Sequence, residues 1–384
     1  MENTKKKRPK KSARRMRLWL RIGIVVFIVL VALVGIWHWI AHTSYTYVDT
    51  VKKYAGESSA DGQYIAYSNG LLEYGRDGIA MLTMEGEELW NQPCQMGNPI
   101  AETCDDTAVV ADKGGTAIYV FRKNGLKGEI QTTRPIERIA VSGQGIVAAI
   151  LQDEETPRVM CYDAKGNVLV EHAASLKNIG YPVDLSISQD GNTLLVSYLC
   201  TDGNSIYTKV RFYHFGESAE SVKDHVVAEK EYADAIAPTV EFLDDDTSVL
   251  VLDNALVFYR GLKEPEEIAV VPLKQQIQSV AYNEEYVALV LKGKGKAEYD
   301  LCLYRTDGKL LMSTGFDGEY TNIKVADSQI LLYEEGQCMI FHRNGTCKFR
   351  GVIEGGVADL YPLRGLNKYL MINAEGFEEI RLAK

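Results

Sequence analysis

Cysteine, histidine and acidic side chains are the residues through which this chain could do chemistry. The seven cysteines are Cys94, Cys104, Cys161, Cys200, Cys302, Cys338 and Cys347. No C-x-x-C occurs, and no histidine stands at a structural-zinc spacing from a cysteine pair. Cys338 and Cys347 flank one hairpin and Cys94 and Cys104 flank one link, so two disulfides are conceivable. Small buried thiols in strands are the simpler reading, above all for Cys161, Cys200 and Cys302. The histidines His172, His214, His225 and His342 are scattered, without an H-E-x-x-H pair, and no serine occupies a G-x-S-x-G elbow. His342 precedes the Asn344-Gly345 turn and reads as the end of a hairpin.

Three acidic runs, Asp105-Asp106, Asp153-Glu154-Glu155 and Asp244-Asp245-Asp246, lack the alternating oxygen ligands and bend glycine of a calcium loop. They read as solvated turns between the first and second strands of repeated units. Lys292-Gly293-Lys294-Gly295-Lys296 has the glycines of a phosphate loop. It lacks the G-x-x-x-x-G-K-[ST] spacing and lies between two strands, so it reads as a hairpin tip. No catalytic residue, metal ligand or cofactor is assigned. Paired carboxylates for glycoside hydrolysis can come from distant parts of a chain, which leaves that chemistry open.

The elements that would position such groups are short. After Ala41 the chain shows alternating or apolar runs cut by Gly, Asn and Asp, the pattern of strands and turns. One layout recurs, strand–turn–strand followed by a tight glycine turn into another strand. Its glycines are Gly86, Gly125, Gly166, Gly216, Gly261, Gly308 and Gly345, with a mean spacing of about 43 residues. A period of about 40–45 with four strands per unit is that of a β-propeller blade. A large β-sandwich has no reason for this period, and separate small β domains would need linkers that are not visible. Residues 61–384 hold about 7.5 such periods. The final unit shows three strands, over 357–361, 368–372 and 377–382. A fourth drawn from 45–51 closes the ring, so eight blades are favoured over seven. Closure removes the sheet edges that otherwise aggregate.

Charge and hydropathy divide the chain further. Of 384 residues, 42 are Lys or Arg and 52 are Asp or Glu, a net of −10. This balance argues against nucleic acid as a partner, because polyphosphate binding needs clustered cations. Residues 1–21 carry ten cations against Glu2 alone, a net of +9, and the remaining chain carries −19. From Ile22 to Ala41 the only ionisable residue is His38. Twenty residues of helix rise about 30 Å, the thickness of a bilayer core. Trp19 and Arg21 at one end, and Trp37 and Trp39 at the other, suit the two membrane interfaces. The run is too long for a signal-peptide core and ends in bulky rather than small residues. The expected organisation is therefore a basic cytoplasmic tail over 1–21, resting on anionic lipid, and a single transmembrane helix over 22–41. A juxtamembrane segment over 42–60, able to supply the closing strand, and an extracytoplasmic propeller over 61–384 would follow.

A resemblance is carried by an ordered series of motifs. It begins with Ser68-Asn69-Gly70, Gly86-Glu87-Glu88-Leu89-Trp90, Asn98-Pro99-Ile100 and Ala111-Asp112-Lys113-Gly114-Gly115. It continues through Val141–Gly145, Tyr162–Gly166, Tyr181–Asp184, Ser188–Gly191 and Val196–Tyr198. The series resembles a family of single-pass, membrane-anchored, propeller-like proteins of Gram-positive anaerobes, over residues 60–384. More distantly it is similar to quinoprotein-type and WD-repeat propellers. Quinoprotein propellers repeat Gly-x-x-x-Trp in most blades, whereas here only Gly86–Trp90 matches. The resemblance implies fold and topology and carries no activity to transfer.

The expected function is thus an interaction or envelope-binding scaffold. Its partner would be a protein or a cell-envelope polymer, met by exposed hairpin tips at Thr201, Asp202 and Asn204 and at Lys292, Lys294 and Lys296. The alternative is a glycan- or quinone-acting enzyme with carboxylates in the central channel. The content of that channel separates the two.

Overall fold

A computed structural model describes residues 19–32, 35, 42–55, 59, 61–153, 156–174, 179–216 and 223–384. Among the described residues, thirty-two strands form eight four-stranded antiparallel sheets. Numbered in chain order, blades 1 to 7 span 63–93, 99–131, 136–173, 181–233, 239–272, 277–316 and 322–352. Blade 8 takes three strands from the end of the chain, Asp359–Pro362, Lys368–Asn373 and Gly376–Ala383. Its fourth is Tyr47–Lys53, paired antiparallel with Gly376–Ala383. The ring is therefore closed by joining its two ends, with eight blades.

Hydrophobic packing explains why the ring holds. The described residues form eight buried apolar clusters, one in each seam between neighbouring blades. The second strand of blade 3 shows how one sequence serves two seams. Val147, Ala149 and Leu151 enter the seam with blade 2, while Ala148 and Ile150 enter the seam with blade 4. Period-2 alternation puts successive side chains on opposite faces, and here both faces are covered. Inner strands thus read as continuous apolar runs, and outer strands such as Glu88–Pro93 alternate between exposed and half-buried.

Six of the seven spaced glycines fall between third and fourth strands, and Gly125 opens the fourth strand of blade 2. Of the seven, all but Gly216 adopt positive φ, which residues with a Cβ reach at a cost. Blade 8 has no such glycine because its third and fourth strands are not consecutive in the chain. Seven glycines therefore mark eight blades.

Antiparallel alternation also sorts the turns onto two faces. First-to-second and third-to-fourth turns open on one face; second-to-third turns and inter-blade links open on the other. Tyr47 lies opposite Ala383, so the N-terminal segment enters, and the chain ends, on the first of these. We refer to it as the entry face. Residues 42–46 are stitched into the seam of blades 7 and 8. The Tyr45 amide donates to the Lys348 carbonyl (2.8 Å), the Thr46 amide to the Ala383 carbonyl (3.1 Å), and the Asn367 side-chain amide to the Tyr45 hydroxyl (2.7 Å).

The acidic runs and the disulfides depart from expectation, and the transmembrane helix expected over 22–41 is described only in part. Residues 19–32 are helical and exposed throughout, but among the described residues no helix is long and apolar enough to cross a membrane. Residues 1–18, 33–34 and 36–41, which include Trp37 and Trp39, lie outside the described residues. Asp153 lies in the second-to-third connection of blade 3, on the face opposite Asp105-Asp106 and Asp244–Asp246, so the three acidic runs are not equivalent. The conceivable disulfides are not formed, and all seven cysteines are free thiols. Cys94 packs in the seam of blades 1 and 2 and Cys104 in that of blades 2 and 3.

Candidate functional site: the polar lining of the central channel

The first strand of each blade is its innermost and borders the propeller axis. Several of these strands carry an ionisable or polar side chain where apolar neighbours surround it. Blade 2 contributes Glu102, blade 3 Arg138, blade 4 Asp184 and Ser186, blade 5 Glu241 and blade 6 Tyr282. On the remaining arc, blade 7 contributes Lys324 and blade 8 Asp359 and Tyr361. None of these was singled out from the sequence.

Hydrogen bonds run from blade to blade across this lining. The Ser186 hydroxyl donates to Glu241 Oε1 (2.9 Å) and accepts from the Phe242 amide (3.0 Å). The Tyr282 hydroxyl donates to Glu241 Oε2 (3.1 Å). Asp184 Oδ2 accepts from the Val240 amide (3.0 Å), and its other oxygen lies 3.6 Å from Arg138 Nε. Glu102 has no hydrogen-bond partner among the described residues.

Their electrostatics follow from low dielectric and shared sign. Burial raises the Glu241 carboxyl to about 7; repulsion from Asp184 adds, and the Ser186 and Tyr282 hydroxyls oppose. Burial raises Asp184 to about 6, against the pull of the Val240 amide and the Arg138 guanidinium. Glu102 is pushed up to about 8, by its enclosed position first and then by Glu241 and Asp184. Glu102 is ringed by protein yet open to the channel bore, so channel water screens part of that repulsion. The Glu241 charge, followed by burial, holds the Tyr282 phenol well above its ordinary value.

The opposite arc is a closed network. Asp359 accepts from the Tyr333 and Tyr361 hydroxyls (2.5 Å each) and from the Leu360 amide (2.7 Å), and it pairs with Lys324. The Lys324 ammonium also sits 3.7 Å from the Tyr361 ring centre. Burial lowers the Lys324 pKa, and Asp359 partly offsets that. Lys324 and Tyr333 of blade 7 both bond Asp359 of blade 8, so this arc binds blade 7 to blade 8.

Among the described residues, no three His, Cys, Asp or Glu side chains are grouped to hold a metal ion. The one quinoprotein-like motif has a packing role. Trp90 stacks on Phe121 of blade 2 (5.0 Å between centroids, 8° between planes) and donates Nε1–H to the Lys123 carbonyl (3.1 Å).

The sequence-expected tips lie elsewhere. Thr201, Asp202 and Asn204 cap the hairpin of blade 4, whose two strands have ten residues each and project beyond their neighbours. Lys292, Lys294 and Lys296 are exposed at the corresponding hairpin of blade 6, and Lys292 lies 5.5 Å from the Tyr299 ring centre. Both are second-to-third hairpins, so they share the face opposite the entry face. Trp19 and Arg21 are helical and exposed. The structure brings neither tip to the channel.

This architecture is a closed eight-bladed β-propeller. BamB from Moraxella catarrhalis matches with a TM-score of 0.54 at 14% identity, over 88% of this chain and 99% of that one. A eukaryotic initiation factor matches with a TM-score of 0.51 at 12% identity, over 84% of each chain. At such identity the likeness concerns the fold alone. The chain belongs to a family of unknown function, DUF5711, which matches residues 41–382. No curated protein matches it in sequence.

Proposed function

We propose that this protein is a membrane-anchored propeller that acts as an interaction scaffold outside the cytoplasmic membrane. Its basic tail lies inside, and its partner is a protein or an envelope polymer. The observation that carries the scaffold reading is the use made of the channel carboxylates. Asp184, Glu241 and Asp359 are each bonded to a neighbouring blade, so they hold the ring together rather than await a substrate. Anchoring is supported by the apolar, wholly exposed helical residues 22–32 behind a tail of ten cations. It is supported too by the way residues 42–46 are built into the seam of blades 7 and 8. The projecting tips at Thr201–Asn204 and Lys292–Lys296 then face away from the membrane, as contact surfaces for the partner.

Crosslinking in native membranes tests this reading. The full chain should capture one recurrent partner that a chain lacking residues 42–384 does not. A well-exported propeller that captures nothing would count against it.

One observation favours a second reading. Glu102 is unpartnered, open to the channel and poised to hold a proton near neutral pH beside two further carboxylates. This is the equipment of a general acid in a glycan-acting site. Turnover of envelope glycan that Glu102→Gln abolishes, with partner capture unchanged, would select the enzyme.

A further inference from the structure

The entry face is electrically lopsided. The first-to-second turn of blade 8 runs Leu363-Arg364-Gly365-Leu366-Asn367. Its base is pinned. The Leu363 amide donates to the Lys368 carbonyl (2.9 Å), the Leu382 amide donates to the Asn367 carbonyl (3.0 Å), and Asn367 holds the Tyr45 hydroxyl. Leu366 at its tip is 68% exposed, beside the exposed Arg364. Two further exposed cations lie on this face, Arg381 near the end of blade 8 and Arg343 in the third-to-fourth turn of blade 7, whose guanidinium also donates to the Tyr286 hydroxyl of blade 6 (3.2 Å). Other turns of the same face carry Asp105 and Asp106 in blade 2, Asp244–Asp246 in blade 5, Glu284 and Glu285 in blade 6, Asp327 in blade 7, and Glu85 and Glu87 in blade 1. The blade 8 turn, beside the entering N-terminal segment, is thus a basic, apolar spot on a face whose other turns are rich in acids.

We propose that the 363–367 turn of blade 8 is a lipid-contact site that seats the entry face on an anionic bilayer surface. Leu366 enters the headgroup layer, and Arg364, Arg343 and Arg381 meet lipid phosphates. An exposed apolar side chain framed by arginines fits an interface in which one end of a contact is oily and the other anionic. The acidic turns of the other blades are repelled from the same surface, so the disc is held tilted, with blade 8 down. A chain with an acidic body would otherwise be pushed off such a surface. The inference rests on the membrane-anchored reading, since the anchor supplies the local concentration for a weak contact.

The test uses the full chain reconstituted into vesicles, with photo-reactive benzoylphenylalanine in place of Leu366 or, on the opposite face, of Asn204. Alkaline extraction first reports whether the chain is anchored. The expected result is an anchored chain whose position 366 crosslinks to lipid in anionic vesicles and whose position 204 does not. The yield at 366 should fall by at least about fivefold in zwitterionic vesicles or with Arg364→Glu combined with Arg343→Glu. An anchored chain with equal yields at 366 and 204, or at 366 with and without anionic lipid, overturns the contact and leaves anchoring intact. Release of the chain by alkali overturns both.

Discussion

Asp359→Ala removes the acceptor at the centre of the blade 7–8 network and gives a sharp test of what closes the ring. The carboxylate is 9% exposed and its partner Lys324 27%. Deleting one member of a buried pair costs about 3–5 kcal/mol, because the other charge is left without a partner. Lys324 keeps some contact with water, which draws the figure toward the lower end of that range. The Tyr333 and Tyr361 hydroxyls also lose their acceptor, and a stranded buried hydroxyl costs about 1–3 kcal/mol. These terms overlap, so the expected loss is about 3–4 kcal/mol, a large share of the roughly 5–15 kcal/mol typical of a folded domain. The assay is the urea midpoint of the purified chain followed by circular dichroism. Asp359→Ala combined with Lys324→Met should recover part of the loss, because the lysine is no longer stranded. A loss below about 1 kcal/mol, or a double variant as unstable as the sum of the singles, would refute the reasoning.

Other predictions concern the channel, the seams and the thiols. Glu102, Asp184 and Glu241 titrate in the folded chain at about 8, 6 and 7, above their ordinary values. The folded state therefore holds protons that the unfolded state has released, and stability falls as pH rises from about 4 through about 8. Glu102→Gln and Glu241→Gln should flatten that fall between pH 5 and 9 in thermal melts; an unchanged slope would count against the shared site. A Cβ on Gly128 would lie 1.7 Å from the Ala164 carbonyl oxygen of the next blade, whereas one on Gly295 would meet nothing within 4 Å. Gly128→Ala should cost about 1–3 kcal/mol or more and Gly295→Ala less than about 0.5 kcal/mol. Thiol titration of the unfolded chain without reductant should find all seven cysteines; five would mean that a bridge forms.

Much of the fold was legible because its punctuation is local. At six third-to-fourth turns positive φ demands a glycine, and apolar runs are demanded by seams on both faces of inner strands. Even the absence of an eighth glycine has a local reason, since blade 8 draws its fourth strand from the other end of the chain. The channel was not legible for the opposite reason. Glu102, Asp184, Glu241 and Tyr282 stand singly on different strands, about 40–80 residues apart, and only ring closure brings them together. A signal did exist, in that the first strands of blades 2, 3, 4, 5 and 7 each place a charge within an otherwise apolar setting. It becomes informative only once those strands are known to border the axis. The acidic turns misled in part because a run of carboxylates looks the same on either face. Strand direction, not composition, separates Asp153 from Asp105.

Accessibility labelling in intact cells tests the central claim of an anchored, outward-facing scaffold most directly. Cysteine would replace Asn204 on the blade 4 tip or Lys5 in the basic tail, each compared with the parent chain and its seven native thiols. The account predicts that a membrane-impermeant maleimide labels position 204 in intact cells and position 5 only after permeabilisation, with the protein retained in the membrane at alkaline pH. Labelling of position 5 but not 204 in intact cells, or release of the chain by alkali, would contradict it.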